Sequence, residues 1–310
     1  ALDAERPYDV LIVHYKKEQL LTLALGSRAS RPLIVWAEWG PVPFELQRGF
    51  PNLLYRRAAA RADVILVISE GTRRSLTAAG VPDDKVVVLP NAVRTDAMRF
   101  SEEGRVAIRA RLGIPQDVFV VGCISRFHPK KRNDVVIDAV SRLDGETHLV
   151  LAGDGDAERS LRALATPLGK RVHFMSMPTT ELADVYSAFD VSVFCPSPTE
   201  GAPRAVILAM LTERPVVSTG PQGVTEFLSE VGAIIDPEND PDALATALAR
   251  YRDDPGLRER DGARGRDLVE ETHASGNVAA RLERLLLEGL ARRGDEGHAD
   301  AADATGSSAP

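Results

Sequence analysis

Short runs of apolar residues, unbroken by polar ones, recur along this chain, and segments of helical periodicity lie between them. A strand that is apolar on both faces needs cover on both, which a parallel sheet flanked by helices provides. The first set of runs is Val10 to Tyr15, Pro32 to Glu38, Asp63 to Ser69 and Lys85 to Asn91, with helix-compatible Glu18 to Leu25 and Glu70 to Gly80 among them. Asn91 to Phe100 lacks periodicity and reads as a connector. The alternation restarts with Val118 to Ser125, His148 to Gly153, Val172 to Ser176, Asp190 to Pro196, Pro215 to Thr219 and Gly232 to Asp236. Helical patterns fall at 133–143, 157–168, 180–189, 203–211 and 224–230, then at 242–251 and 279–290. The expectation is an α/β chain of two Rossmann-like, doubly wound parallel-sheet domains. Six strands complete such a domain and four leave it thin, so the first is expected to be incomplete at its N-terminus. The expected boundaries are 1–95, 96–275, a C-terminal helix at 276–293 and a patternless, disordered tail at 294–310.

Composition removes several classes of function. A formal net charge of −7 over 310 residues argues against general nucleic-acid binding, which needs a basic face. No apolar run approaches the roughly 18 residues of a membrane span. The two cysteines, Cys123 and Cys195, each lie in an apolar strand pattern, as buried thiols do. The six histidines are scattered without metal-ligand spacing. No signal peptide is visible, although the chain starts at Ala1 in what reads as mid-domain. Cytoplasmic placement is expected, with peripheral contact at the inner membrane face left open.

Residue types that carry chemistry gather where strands end. Ser125-Arg126-Phe127-His128-Pro129-Lys130-Lys131-Arg132 joins a strand pattern to a helix pattern. Helix N-termini carry partial positive charge and unpaired N–H groups, so cations there are unfavourable unless an anion joins them. The competing reading is a solvated basic turn. Gly153-Asp154-Gly155 follows the next strand, and alone it is better explained by a tight reversal. Thr199-Glu200-Gly201-Ala202-Pro203-Arg204 leads into another helix; Pro203 suits the first helical position, and Gly201 lets a ligand approach the backbone. Gly220 to Glu226 is a further glycine turn onto a helix. Together these loops share the carboxyl edge of one sheet, where ligands bind in open parallel sheets.

In Ser125-Arg126-Phe127 with Lys131, Ala152-Gly153-Asp154-Gly155, Asp190 to Glu200-Gly201, Ala209-Met210, Pro215-Val216-Val217 and Gly223-Val224-Thr225-Glu226, the chain resembles the retaining glycosyltransferases of family four, the group 1 glycosyltransferases. Val88-Leu89-Pro90-Asn91 and Asp9 to His14 resemble pieces further upstream. The resemblance implies the GT-B architecture of two facing Rossmann-like domains, the first binding the acceptor and the second the donor. It implies that Arg126 and Lys131 hold the donor's diphosphate, that Glu200 binds a hydroxyl of the donor sugar, and that the amides after Glu200 cap a phosphate. Gly153, Asp154, Gly155, Gly201, Ala202, Pro203, Arg204, Leu208 and Glu226 are then further donor-side candidates. Cations and a helix N-terminus stabilise the charge that develops on a departing diphosphate without a metal or other cofactor. Retention of the anomeric configuration is likewise implied by the family.

One departure is clear. Eight positions after the first glutamate the family has a second, which accepts hydrogen bonds from the nucleotide ribose; here that residue is Leu208. A charge-assisted hydrogen bond is worth about 1.5–3 kcal/mol, roughly ten- to a hundredfold in affinity. Nucleotide binding is therefore expected to be weaker rather than abolished, with Arg204 the nearest compensating group. On the acceptor side, His14 aligns with a strand-end histidine of the family, and Glu38 falls where the family has a catalytically important histidine. Trp36 and Trp39 flank Glu38, and indoles serve as sugar-stacking, interfacial or core residues alike. His14, Glu38 and Trp39 are thus the acceptor-side candidates. Arg48, Arg56, Arg57 and Arg61, interleaved with Phe50, Leu53, Leu54 and Tyr55, suit an anionic-lipid surface or, alternatively, the outer face of a sheet-packed helix.

The expected function is a metal-independent hexosyltransferase moving a sugar from a UDP- or GDP-sugar to an acceptor hydroxyl, in glycan, glycolipid or natural-product biosynthesis. Its partners are the nucleotide-sugar donor and a sugar, lipid or small-molecule acceptor. The alternative is a catalytically silent nucleotide-sugar-binding or regulatory subunit that pairs with another glycosyltransferase chain. Leu208, Glu38 and the thin first domain favour that alternative.

Overall fold

A computed structural model describes residues 8–25, 32–143, 146–197, 204–220, 224–235 and 240–306, without the side chains of Glu226, Phe227 and 294–306. The chain divides into two compact units, residues 1–91 with 276–310, and residues 92–275. Each is built on a parallel sheet.

In the first unit β1 (Val10–Val13), β2 (Leu33–Glu38), β3 (Val64–Val67) and β4 (Val86–Val88) lie side by side in chain order. Between them run α1 (Lys16–Leu21), α2 (Gly49–Arg61) and α3 (Glu70–Ala78). Ser69 caps α3 by accepting from the Thr72 amide at 3.1 Å. β2 is buried from end to end. One face of the sheet packs against Tyr55, Ala58 and Ala59 of α2, with Trp36 fully buried beside Tyr55. The other face receives the last helix of the chain, α12 (Ser275–Gly306), through Leu282, Leu285, Leu286 and Leu290. That spacing is the apolar stripe of an amphipathic helix. Gly289 belongs to the same contact, since a Cβ there would come within 3.0 Å of Leu33. Arg293 closes it with an ion pair to Asp63 at 3.3 Å. The disordered tail expected from 294 is instead, as far as Gly306, the continuation of α12. Ala299, Ala301, Ala302 and Ala304 supply intrinsic helix propensity there without any apolar stripe. Residues 307–310 lie outside the described residues.

The second unit contains α4 (Glu102–Leu112), β5 (Phe119–Ile124), α5 (Asn133–Ser141), β6 (Thr147–Ala152), α6 (Glu158–Ala165), β7 (Val172–Met175) and α7 (Leu182–Ser187). It continues with β8 (Val191–Phe194), α8 (Arg204–Leu211), β9 (Val216–Thr219), α9 (Thr225–Leu228), β10 (Gly232–Ile235), α10 (Pro241–Asp253) and α11 (Pro255–His273). The six strands are parallel, in the order β10-β9-β8-β5-β6-β7. Winding reverses between β5 and β8, which makes their boundary the topological switch point. Two of the helices, α4 and α11, have no counterpart in the periodicity read above. Both carry clear end signals: Ser101 caps α4 at Gly104 N, and Asp254 caps α11 at Leu257 N, each at 2.9 Å.

Asp190, at the amino end of β8, accepts from the Val120 amide (2.7 Å), Arg105 (2.8 Å) and Arg109 (2.9 Å). Burial alone would raise the pKa of this carboxyl, but Arg105 and Arg109 outweigh it and hold the pKa below the usual range. The remaining guanidinium hydrogens of fully buried Arg109 go to the carbonyls of Ala188, Gln116 and Val118. Cys123 and Cys195 are free and buried, and burial pushes their thiols up to about 11 and about 12. Among the described residues no helix is long and apolar enough to cross a membrane.

Buried histidines give this unit an acid limit. His148 on β6 and His173 on β7 stack with ring nitrogens 2.9 Å apart, and burial lowers the pKa of both. Burial pushes His273, at the end of α11, from 6.5 down to about 4. Above pH 6.5 each imidazole is neutral whether the chain is folded or not. Below that, the unfolded chain takes up protons that the folded one refuses, so stability falls from pH 6.5 toward pH 4. His273 alone accounts for about 2 kcal/mol of that loss by pH 5. Urea unfolding midpoints at pH 8 and pH 5 are expected to lie closer together in His273→Leu than in the parent; an unchanged separation removes His273 from the account.

Candidate functional site

At the carboxyl ends of β5 and β6 two loops are laced to each other. The Ser125 amide donates to Ala152 O (3.1 Å), the Phe127 amide to Asp154 O (2.9 Å), and the Ala157 amide to Phe127 O (3.1 Å). Ser125 is also held from below, its hydroxyl 3.2 Å from Oδ1 of Asn133, a buried side chain at the first position of α5. The Phe127 ring is buried edge-on to Phe174. Arg126 thus stands between two fixed neighbours. Its side chain is exposed, and its guanidinium has no hydrogen bond or ion pair among the described residues.

The glycines after β6 serve this lacing. A Cβ on Gly153 would lie 1.9 Å from Ser125 O, and one on Gly155, whose φ is +151°, would lie 2.3 Å from Phe127 O. The space left by the missing side chains is occupied by the neighbouring loop's carbonyls, so their part in any site is to set the course of that loop. Asp154 turns its carboxylate back onto the Met177 amide at 2.9 Å.

Beyond Arg126, Pro129–Lys131 forms a single tight turn, with His128 Nδ1 accepting from the Lys130 amide at 3.2 Å. Arg132 then adopts φ +51° to enter α5, a conformation that costs a non-glycine residue about 1–2 kcal/mol. The half-buried Lys131 sits with its ammonium 5.4 Å from the ring centre of Phe194, the last residue of β8. Just beyond, the Ser197 amide donates to Lys130 O at 2.8 Å. The loops that follow β5 and β8 are therefore joined across the switch point, and the first of them carries four cations, Arg126 and Lys131 among them.

The second of those loops carries Glu200, Gly201, Ala202 and Pro203, which lie outside the described residues, as does the side chain of Glu226. Arg204 opens α8 and is exposed. The buried Tyr186 hydroxyl donates to Ala205 O at 3.0 Å and fixes that first turn. Leu208 is half-buried against the apolar cluster that includes Val206, Ile207 and Val224.

In the first unit His14 and Trp39 meet at the carboxyl ends of β1 and β2. Their rings are parallel within 12°, with centres 5.9 Å apart. Trp39 Nε1 donates to His14 Nδ1 at 3.3 Å, which leaves the histidine's Nε2 as the ring nitrogen without a partner among the described residues. Both rings are exposed, Trp39 by 56%. Glu38 faces the opposite way. It is only 4% exposed and both its oxygens are engaged by the Lys16 ammonium, while the Tyr55 hydroxyl donates to Oε1 at 2.9 Å. Burial lowers the pKa of Lys16 against the pull of Glu38, and burial together with Glu38 raises that of Tyr55. Lys16 escapes a sequence reading because its partner is 22 positions away. Asn133 carried a readable signal, a polar residue at the mouth of a helix.

Residues 118–254 match the family model described as Glycosyl transferases group 1, and residues 1–92 match the Glycosyl transferase 4-like domain. The D-inositol 3-phosphate glycosyltransferase of Kineococcus radiotolerans is 31% identical over a 335-residue alignment that covers 95% of this chain and 75% of that protein. The GDP-mannose-dependent alpha-(1-6)-phosphatidylinositol monomannoside mannosyltransferase of Mycolicibacterium smegmatis is 30% identical over 246 residues, 74% of this chain and 64% of that one. The chain spans 64% of the length of this relative and of a similar mannosyltransferase from Corynebacterium glutamicum. Among solved structures, Anabaena Alr3699/HepE in complex with UDP superposes with a TM-score of 0.83 at 20% identity, covering 91% of this chain and 79% of that one. Sucrose-phosphate synthase from Thermosynechococcus elongatus gives a TM-score of 0.78 at 21% identity, over 92% and 74%. These two likenesses speak for the fold.

The lacing is open to a direct check. Gly153→Ala places a methyl group against the Ser125 carbonyl and is expected to cost about 1–3 kcal/mol, the usual range for overpacking. A urea unfolding midpoint equal to the parent's would mean that the two loops are not so closely joined.

Proposed function

The chain belongs to the group 1 glycosyltransferases, with the GT-B fold, and from that premise we propose that it moves a sugar from a UDP- or GDP-sugar to an acceptor hydroxyl with retention of anomeric configuration. The second unit binds the donor and the first the acceptor. Arg126 and Lys131 take the diphosphate; Glu200 takes a hydroxyl of the donor sugar, and the amides after it take a phosphate oxygen. The glycine turn at 153–155, with Arg204, Leu208 and Glu226, completes the donor surroundings. The observation that carries this reading is the junction of the loops after β5 and β8, with the Ser197 amide on Lys130 O and Lys131 against Phe194. It lies at the switch point, where open parallel sheets take their ligands.

The chemistry follows from those charges. As the bond between the anomeric carbon and the phosphate oxygen breaks, negative charge grows on the diphosphate. A guanidinium and an ammonium fixed beside it stabilise that charge without reorganising. The acceptor hydroxyl attacks from the same face, its oxygen bonds to the anomeric carbon, and its proton passes to the departing phosphate oxygen. No carboxylate base is then asked of the first unit, in keeping with a Glu38 already engaged by Lys16 and Tyr55.

The acceptor is a sugar or polyol, free or carried on a lipid, in glycan or glycolipid assembly. The names of the inositol-phosphate and phosphatidylinositol-mannoside relatives support that class. The exposed His14–Trp39 pair stacks on its ring. Phe44, Phe50 and Leu53, exposed near Arg48 and Arg57, form a surface suited to the anionic inner face of a membrane. A second reading, a silent nucleotide-sugar-binding subunit, is favoured by one observation, the apolar Leu208 packed where the family has its ribose-binding glutamate.

Arg126→Ala is expected to lower kcat by about a hundred- to a thousandfold with the circular dichroism spectrum unchanged. Near-normal turnover in that variant defeats the clamp, and absent turnover in the parent with intact nucleotide binding selects the silent subunit. Leu208→Glu is expected to tighten UDP or GDP binding by about tenfold in calorimetry. An unchanged Kd in a variant that unfolds like the parent would move the ribose away from α8.

A further inference from the structure

The sheet of the second unit has a second polar recess, at the edge opposite the loops just described. A cavity of about 500 Å³ opens where β8 and β9 begin, lined by Asp190, Pro215, α4, the residues around Arg214 and the first turns of α11. This volume suits a small ligand. Three guanidiniums reach its wall, those of Arg105, Arg214 and Arg258. Arg105 is neutralised by Asp190, a carboxylate it shares with Arg109.

Arg214 and Arg258 are different. Arg214 donates to the carbonyls of Thr212 (3.0 Å) and Phe189 (3.0 Å), and its guanidinium lies 4.5 Å from the ring centre of Phe100. Arg258 donates to the carbonyls of Tyr251 and Arg252 and lies 5.6 Å from the ring centre of Phe119. Neither has a carboxylate within ion-pair distance among the described residues. Backbone acceptors and an aromatic ring hold each one in place, so little conformational entropy is left to lose on binding. Burial, with Arg105 adding repulsion, pushes Arg214 down to about 10, which still leaves it charged at neutral pH.

We propose that this recess binds a small oxyanion of the phosphate class, held between the guanidiniums of Arg214 and Arg258. Glu102, Glu213 and Glu259 also line the cavity, and their repulsion grows with a ligand's charge as the attraction of the arginines does. The number of oxygens offered to the guanidiniums, and not the charge, therefore sets the preference. A phosphate that presents two oxygens to each fork forms charge-assisted bidentate bonds that offset the repulsion from those carboxylates. The site is separate from Arg126 and Lys131, which lie at the carboxyl edge of the same sheet.

The test uses the full chain with Arg126→Ala in the background, which removes the donor-side guanidinium. Melting temperature is followed against inorganic phosphate at constant ionic strength. A saturable rise is expected in this background, because a ligand that binds only the folded form stabilises it. Adding Arg214→Gln or Arg258→Gln is expected to weaken the apparent affinity at least about tenfold, the loss of one charge-assisted contact. Should Arg214→Gln not fold, Arg258→Gln decides alone, its side chain lying on an outer helix. No rise in the Arg126→Ala chain, or a rise that survives Arg258→Gln unchanged, overturns the proposal.

Discussion

Asp190 is the carboxylate on which the second unit is hung. Three elements converge on it: β8, which it begins, β5 through the Val120 amide, and α4 through Arg105 and Arg109. Two buried guanidiniums against one carboxylate is a poor source of net stability, because desolvation cancels most of the attraction. What it does supply is position. β5 and β8 pair over a short register, Val121 with Val191 and Gly122 with Ser192. A strand pair that short needs fixing at its ends. Asp190 does so at the amino end and the Ser197–Lys130 hydrogen bond at the carboxyl end. Gly122 completes the fit, because a Cβ there would stand 2.0 Å from the Phe189 ring.

The same short junction explains why strain collects at its carboxyl end. To pass from β5 into α5 the chain makes one tight turn and a left-handed step at Arg132, a residue that does not favour it. Asn133 is buried there with Nδ2 unpaired among the described residues and Oδ1 taken by Ser125 and Cys123. These departures from local preference sit beside Arg126 and Lys131, which is where functional constraint outweighs stability in most proteins. The clamp reading gives them a purpose: they fix the course of the loop that carries Arg126 and Lys131.

Unbroken apolar runs made the strands legible, since a fully covered parallel strand has no other pattern to show. The basic turn and the glycine-rich loops could likewise be placed at one sheet edge from order alone. Helices α4 and α11 could not, and the reason lies in their buried faces. Those faces are made of Gly104, Ile108 and Arg109 in one, and Gly262, Gly265, Arg266, Val269 and His273 in the other. Arginines that donate inward to carbonyls and carboxylates occupy core positions, and a search for apolar periodicity passes over them. The polar recess at the amino edge is lined by these same helices, so it was hidden for the same cause. The Gly153–Gly155 turn is the tight reversal that its pattern alone favoured, with the space beside its glycines filled by Ser125 and Phe127.

Glu38 shows how a charged residue at a strand end can be committed to structure. An imidazole at the end of β2 could exchange protons near neutral pH. A carboxylate there, buried with Lys16 and Tyr55, is locked instead, since releasing either partner would leave a buried charge uncompensated at a cost of about 3–5 kcal/mol. The cluster spans the turn after β1 and the end of β2, and so fixes His14 and Trp39, which flank it in sequence. If the departing phosphate takes the acceptor's proton, the first unit has no acid–base duty, and a rigid aromatic surface is what it needs to provide. A carboxylate committed to placement fits that division of labour, in which charge is managed by one unit and shape by the other.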